Sequence, residues 1–192
     1  MYKVTSADQL AAILQSVFAS DLQGVIAIDG KDDVGKSTLA ADLRERIGGT
    51  VISVDDHIEE ARGVYLPALR VSDLRSAFAE AVPPRIVEGV CLRDVLQAID
   101  CKSAVHIYVR RVIADGYWRH NVICDPAEPV ENIIAREVAS LRQFAEANAR
   151  ISGKEPPAPE SIRLTPLREE IIRYHARVLP FRAADIVVSL AE

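Results

Sequence analysis

The sequence predicts an α/β domain built on a mainly parallel sheet. Three observations carry that expectation. Short apolar runs alternate with stretches of helical spacing over most of the 192 residues, the pattern of strands joined by helical crossovers. One run, GVIAIDG, leads directly into a glycine-bearing loop and then an amphipathic stretch. The chemically interesting residues fall just after strand ends, where parallel sheets put their ligand sites.

The elements follow in order. Ser6 and Gln9 read as a capping box, with Leu10, Ile13, Leu14, Val17 and Phe18 at helical spacing behind them. Residues 24–29 form an apolar strand, and 37–47 a helix with Leu39, Leu43 and Ile47 on one face. TVISV (50–54) is a second strand, stopped by Asp55-Asp56; residues 72–82 are a helix closed by Pro83-Pro84. RIVEG (85–89) and AVHIYV (104–109) are the third and fourth strands. From 110 to 151 the pattern turns helical, with a break at 124–129. SGKEPPAPE (152–160) is a polar connection, Thr165-Pro166 starts a helix ending near Pro180, and DIVVSL (185–190) is a fifth strand. The length suits one domain spanning 1–192.

Composition narrows the class. The chain is 49% hydrophobic and 27% charged, as soluble globular proteins are. A net charge of −5 argues against a nucleic-acid partner. Cys91, Cys101 and Cys124 make no CxxC pair, which suits a reducing cytoplasm. No apolar run has the length of a membrane span, and MYKVTSADQL lacks a signal-peptide core, so the expectation is a cytoplasmic protein without a membrane partner. His57, His106, His120 and His175 have no metal-site spacing, and His106, inside a strand, reads as structural.

Gly30-Lys-Asp-Asp-Val-Gly35-Lys36-Ser37 fits G-x-x-x-x-G-K-[ST] without a gap. The glycines let the backbone turn tightly and bring its N–H groups to phosphate oxygens. Lys36 supplies a flexible charge for the outer phosphates, Ser37 an oxygen for Mg²⁺, and the following helix its positive end. Gly30, Asp32, Asp33, Val34, Gly35, Lys36, Ser37 and Thr38 are therefore the candidate ATP-binding set. Asp32 and Asp33 are unexpected in a phosphate site. Because backbone N–H groups make the cradle, side chains at 31–34 are free to point outward, with Lys31 and Lys36 offsetting the charge. A second reading has one of the two facing an acceptor.

Asp55, at the end of the second strand, can accept the proton of an attacking hydroxyl during phosphoryl transfer. Asp56 and His57 complete the candidate acceptor side, Asp56 orienting the acceptor or holding Mg²⁺ through water. The bland alternative is that Asp55-Asp56 ends a strand and caps a turn. Glu88 is the candidate second acidic residue near the metal, against a simple strand-end carboxylate. Arg110, Arg111 and Arg119 crowd onto an expected helix, placed either to close over a triphosphate or to form a solvated basic face. Tyr117 and Trp118 read as packing residues.

From about residue 23 to 189 these features resemble the uridine kinase-like branch of P-loop small-molecule kinases, which includes phosphoribulokinase-like and pantothenate kinase-like relatives. GVIAIDGKDDVGKSTLAADL is similar to that family's opening strand, loop and helix; VISVDDHI to the strand bearing its aspartate base, here Asp55; and RIVEGV to its acidic strand, here Glu88. Arg110, Arg111, Asp115 and Arg119 resemble its lid helix, and Pro180, Ala184, Asp185 and Ile186 its closing segment. The resemblance implies a three-layer P-loop nucleoside triphosphate hydrolase fold, a five-stranded parallel sheet with the loop's strand central, and a helical lid at about 110–128. It also implies Mg-ATP as donor, Lys36, Asp55, Arg111 and Arg119 as catalytic residues, Ser37 and Glu88 as metal ligands, a small hydroxyl-bearing acceptor, and a homodimer. The chain departs from the pattern at His57-Ile58 in place of an aromatic pair, at Ala114, at His120, and in a short tail after the last strand. These departures fall on the acceptor and lid sides. Rival readings are an ATP-binding regulatory switch and a non-catalytic interaction domain; a guanine-reading N-K-x-D element is absent from the sequence.

Overall fold

The computed structural model describes residues 1–60, 62–113 and 115–191. Ala114, one of the departures noted above, lies outside the described residues. The architecture is α/β, with six parallel strands in one open sheet and, among the described residues, seven α-helices. The strands are β1 (Tyr2–Val4), β2 (Val25–Asp29), β3 (Thr50–Ser53), β4 (Arg85–Glu88), β5 (Val105–Val112) and β6 (Ile186–Ala191). Their order across the sheet is β1-β6-β5-β2-β4-β3, so the strand feeding the glycine loop sits inside the sheet between β5 and β4. The helices are α1 (Ala7–Val17), α2 (Lys36–Ile47), α3 (Val71–Glu80), α4 (Leu92–Ala98), α5 (Asn121–Cys124), α6 (Val130–Ser152) and α7 (Pro166–Val178).

Local signals explain most of these boundaries. Ser6 caps α1 by accepting the Gln9 N–H at 3.2 Å, while the Gln9 side chain accepts from Thr5 N at 2.8 Å, closing the box one residue earlier than the simplest form. Thr165 caps α7 through Arg168 N, with Pro166 in its first turn.

The sheet is covered on both faces, because successive strand residues point to opposite sides. Ile26 and Ile28 of β2 pack with Leu10 and Leu14 of α1 and Leu39 and Leu43 of α2. Val25 and Ala27 face the other way, onto Leu74 of α3, Leu92 and Val95 of α4, and Ile171 of α7. Tyr108, Val187, Trp118, Ile133 and Ile172 extend that second layer beneath α6.

Three expectations are corrected. The sheet has six strands, because Tyr2–Val4 adds to the edge of β6 in parallel register. A three-residue strand has no periodicity to read; its pairing with β6 makes it a strand. The helical lid at 110–128 is also absent as drawn. β5 runs on to Val112 in register with Ser189, Leu190 and Ala191, so Arg110 and Arg111 are strand residues. Val112 then makes an isolated bridge to Trp118, and among the described residues between there and Pro129 only Asn121–Cys124 is α-helical. The ladder to β6 outweighs the weak helical spacing there. Finally, α4 occupies residues 92–98, where no element was expected, although Leu92, Val95 and Leu96 carry helical spacing.

Leu10 is fully buried between α1 and the sheet. Leu10→Ala is expected to lower the unfolding free energy by roughly 2–5 kcal/mol in urea titration, the range for emptying a packed core site. A loss within experimental error of zero would show that α1 is not docked on the sheet.

Candidate functional site

The loop between β2 and α2 is shaped by close approach of neighbouring backbone. A Cβ on Gly30, where φ is 155°, would stand 2.6 Å from the Val109 carbonyl oxygen of β5. Gly35 has φ 92° and a Cβ there would meet the Arg111 guanidinium at 3.1 Å. Both positions therefore require glycine. Asp33 takes up the left-handed conformation (φ 60°), which aspartate tolerates better than most residues. Gly35 offers α2 no side-chain cap, so the first-turn N–H groups of a twelve-residue helix face the loop without an internal partner.

The side chains of 31–34 do not all point outward as expected. Val34 is buried in the core and Lys31 is buried with its ammonium 2.6 Å from Asp32 Oδ1. Only Asp32 and Asp33 reach solvent, and both line the cleft above the loop. Burial works to raise the Asp32 carboxyl, but its hydrogen bond and charge pairing with Lys31 prevail and hold it below the ordinary value. The two loop aspartates are thus one half of an internal ion pair and one exposed carboxylate.

Lys36 is buried and donates to the Lys31 carbonyl at 2.8 Å. Burial lowers its pKa, opposed by the carboxylates of Glu88, Asp29, Asp55 and Asp32. Glu88 at the end of β4 accepts from Ser37 Oγ at 3.1 Å and from Ser53 Oγ at 2.7 Å. Asp55, in the short turn after β3, accepts the Tyr65 hydroxyl at 2.7 Å. Tyr65 is itself fixed: the Glu170 carboxylate of α7 accepts from Tyr65 N at 2.6 Å and Leu66 N at 2.7 Å. Lys36, Ser37, Thr38, Asp55, Tyr65, Glu88 and Arg111 all line one cleft of about 410 Å³.

The remaining expected residues divide. Asp56 lies outside that cleft's lining but shares an adjoining acidic recess with Asp55, Glu59 and Glu60. His57 lines neither space; its carbonyl accepts from Arg70 N at 2.8 Å. Arg111 is brought to the cleft, with Nη1 donating to Ala191 O at 2.6 Å. Arg110 is not: it bonds Ser189 Oγ at 2.9 Å and stacks over Trp118 and Phe181. Arg119 is exposed in the turn before α5 and is not among the cleft-lining residues. Asp185, quoted above for its motif, accepts His106 N at 2.8 Å and so holds β6 to β5.

Sequence reasoning missed Tyr65, Ser53, Glu170 and Asp29. Ser53 stands directly before the Val54-Asp55 step and was legible as a strand-end hydroxyl; Tyr65 and Glu170, 105 residues apart, carried no local signal. Asp29, beneath the loop, is fully buried. Its carboxylate accepts from Gly30 N at 2.7 Å and from the Tyr174 hydroxyl, and His106 Nε2 stands 3.7 Å away. Burial pushes Asp29 up to about 6, with these hydrogen bonds and Lys36 acting against the rise. Burial drives His106 down to about 3, so it is neutral beside Asp29.

Mg²⁺ takes hard oxygen ligands and binds through one or two protein groups plus substrate phosphates. Ser37 Oγ and Glu88 Oε1, 3.1 Å apart at the cleft floor, fit that donor type. Among the described residues, no group of three or more His, Cys, Asp and Glu side chains forms an all-protein metal cage. No helix among them is long and apolar enough to cross a membrane. A scan against protein-family models and a search of curated proteins each returned no match.

The Asp29 shift has a thermodynamic consequence. A carboxyl whose folded pKa (about 6) exceeds its ordinary value (3.8) stabilises the fold fully below the lower value and loses that stabilisation as pH rises through the higher one. At neutral pH the buried charge then costs on the order of 3 kcal/mol. Asp29→Asn is expected to melt above wild type at pH 7.5, with the gap closing toward pH 4. A gap that does not vary with pH would show that Asp29 titrates like an exposed aspartate.

Proposed function

We propose that this protein is an ATP-dependent phosphotransferase of P-loop type that phosphorylates a hydroxyl of a small metabolite. One observation carries the reading: the uncapped start of α2 and the buried Lys36 ammonium share a cleft with the Asp55 carboxylate. A helix N-terminus with a cation beside it is an anion site, and a carboxylate facing it supplies a proton acceptor. Further support comes from the loop's position at the carboxyl end of an internal strand of an open parallel sheet. The resemblance to uridine kinase-like enzymes belongs to the same reading, as do a cytoplasmic setting and a homodimer.

In this scheme the loop N–H groups and Lys36 bind the β- and γ-phosphates, with Asp32 kept off them by its pairing with Lys31. The acceptor oxygen attacks the γ-phosphorus, the bond from that phosphorus to the bridging oxygen breaks, and ADP leaves. The hydroxyl proton passes to Asp55. Tyr65 fixes which Asp55 oxygen is free, since its hydroxyl already occupies Oδ1. Arg111, at the cleft wall, offsets charge on the phosphates. Ser37 and Glu88 would hold Mg²⁺, which supplies charge neutralisation to the triphosphate when bound.

Lys36→Ala is expected to weaken Mg-ATP binding about 30-fold or more, the effect of truncating one partner of a buried charge contact. Its far-UV circular dichroism and melting temperature should match wild type or exceed it, because a desolvated cation is removed. Wild-type protein given Mg-ATP and a panel of nucleosides, sugars and amino alcohols should form ADP only with certain acceptors. Unaltered ATP affinity in the variant sinks the phosphate reading, and ADP formation stimulated only by a macromolecule sinks the small-acceptor reading.

A further inference from the structure

Tyr65 is held at both ends by groups from distant parts of the chain. Its hydroxyl donates to Asp55 Oδ1 at 2.7 Å, and its backbone N–H donates to Glu170 Oε2 at 2.6 Å. The other oxygen of Glu170 takes the Leu66 N–H at 2.7 Å. These two N–H groups open the short turn Leu66–Ala68, whose own first residue supplies no side-chain cap. The first N–H groups of a helical turn lack internal partners, and a nearby Ser, Thr, Asn or Asp or a water molecule ordinarily meets them. Here the partner comes from a helix more than a hundred residues along the chain.

Glu170 is a costly way to satisfy that turn. It is half-buried on α7, and the arginines of that helix are engaged elsewhere: Arg168 with Glu137, Arg173 with Glu131 and Glu169, and Arg177 with Asp94. Among the described residues no cation pairs with it, so two backbone N–H groups hold a partly desolvated charge. What the arrangement supplies is placement. The far end of Tyr65 is fitted as closely. A Cβ on Gly89, the residue after Glu88, would stand 2.8 Å from the Tyr65 hydroxyl oxygen and 3.0 Å from Val54 Cβ. Gly89 is not in the left-handed region, so the position calls for room and not for a special backbone conformation. Burial, and then the charge of Asp55, push the Tyr65 phenol above its ordinary range, which keeps it a hydrogen-bond donor.

We propose that Glu170 and Gly89 are positioning residues for proton removal from the acceptor; the proposal rests on the phosphotransferase reading above. Glu170 sets where Tyr65 stands against α7, Gly89 admits its hydroxyl, and the hydroxyl turns Asp55 so that Oδ2 faces the acceptor. Neither Glu170 nor Gly89 lines the cleft, so both act through Tyr65. Such placement matters because a displacement of about 1 Å at reacting groups costs up to ~100-fold in rate. Lys36 and Ser37, which meet the phosphates in the proposed reaction, stand outside this chain of contacts: Lys36 bonds the Lys31 carbonyl and Ser37 bonds Glu88. Transfer and nucleotide binding therefore respond separately to its disruption.

The test measures the two separately. Tyr65→Phe, Glu170→Gln, Glu170→Ala, Gly89→Ala and the double variant Tyr65→Phe/Glu170→Ala are assayed with Mg-ATP and the acceptor that wild type turns over fastest among the nucleosides, sugars and amino alcohols. Melting curves verify that each is folded. Tyr65→Phe, Glu170→Ala and Gly89→Ala are expected to lose about tenfold or more in kcat, with the calorimetric Kd for Mg-ATP within about twofold of wild type. Glu170→Gln keeps one oxygen acceptor and should fall between wild type and Glu170→Ala. Because both changes act on one carboxylate, adding Glu170→Ala to Tyr65→Phe should cost no more than about a further twofold. If Gly89→Ala or Glu170→Ala does not fold, Tyr65→Phe and Glu170→Gln complete the same cycle. An unmoved kcat, additive losses in the double variant, or ATP affinity falling in step with kcat overturns the positioning role and leaves the phosphotransferase reading standing. Wild type that binds Mg-ATP but phosphorylates none of the acceptors overturns both.

Discussion

A single ammonium group, that of Lys36, is taken out of water at the root of the glycine loop, and much of the surrounding structure answers that burial. Removing a cation from solvent is unfavourable unless charge or hydrogen-bond partners replace the water. Here the Lys31 carbonyl takes a direct hydrogen bond, and Glu88, Asp29, Asp55 and Asp32 surround the site with negative charge. Each of those carboxylates is held in turn by something other than Lys36: two serines for Glu88, Tyr174 and Gly30 for Asp29, Tyr65 for Asp55, Lys31 for Asp32. The carboxylates are therefore fixed in place while the lysine is bound to a replaceable backbone partner. In the proposed reaction, a phosphate would displace only the Lys31 carbonyl contact to reach the cation.

The helix α7 connects the parts of this arrangement. Tyr174 reaches beneath the loop to Asp29, Glu170 clamps the backbone of Tyr65 and Leu66, and Leu167 and Ile171 line the cleft itself. Along one helix, residues three and four apart share a face, and 167, 170, 171 and 174 do so. That face also buries Ile171 and Tyr174 in the core. The orientation of Asp55 thus depends on a helix far along the chain, and a disturbance in α7 reaches the proposed proton acceptor through Glu170 and Tyr65.

The arginines illustrate how strand geometry sorts neighbouring residues. Arg110 and Arg111 are adjacent, and on a helix they would splay by about 100° on one broad face. In β5 they point to opposite sides of the sheet. Arg110 packs over Trp118 and Phe181 on the α6 side, and Arg111 meets Gly35 and the cleft. Only one of the pair lines the cleft, and the ladder with β6 makes the selection.

What the sequence determined by itself was local. The glycine loop, the amphipathic stretch behind it, the caps at Ser6 and Thr165 and the apolar strands are written in contiguous residues, because backbone conformation and burial pattern depend on near neighbours. Lys36, Ser37, Asp55 and Glu88 were legible for the same reason: each sits at or beside a strand end that can be read from its own segment. Tertiary structure alone decided that Tyr2–Val4 is a strand, that Arg110 turns away and Arg111 does not, that Tyr65 and Glu170 hold Asp55, and that Asp29 is sealed against Tyr174. Those outcomes rest on contacts between segments tens to more than a hundred residues apart, and a contact of that kind leaves no periodicity in either partner.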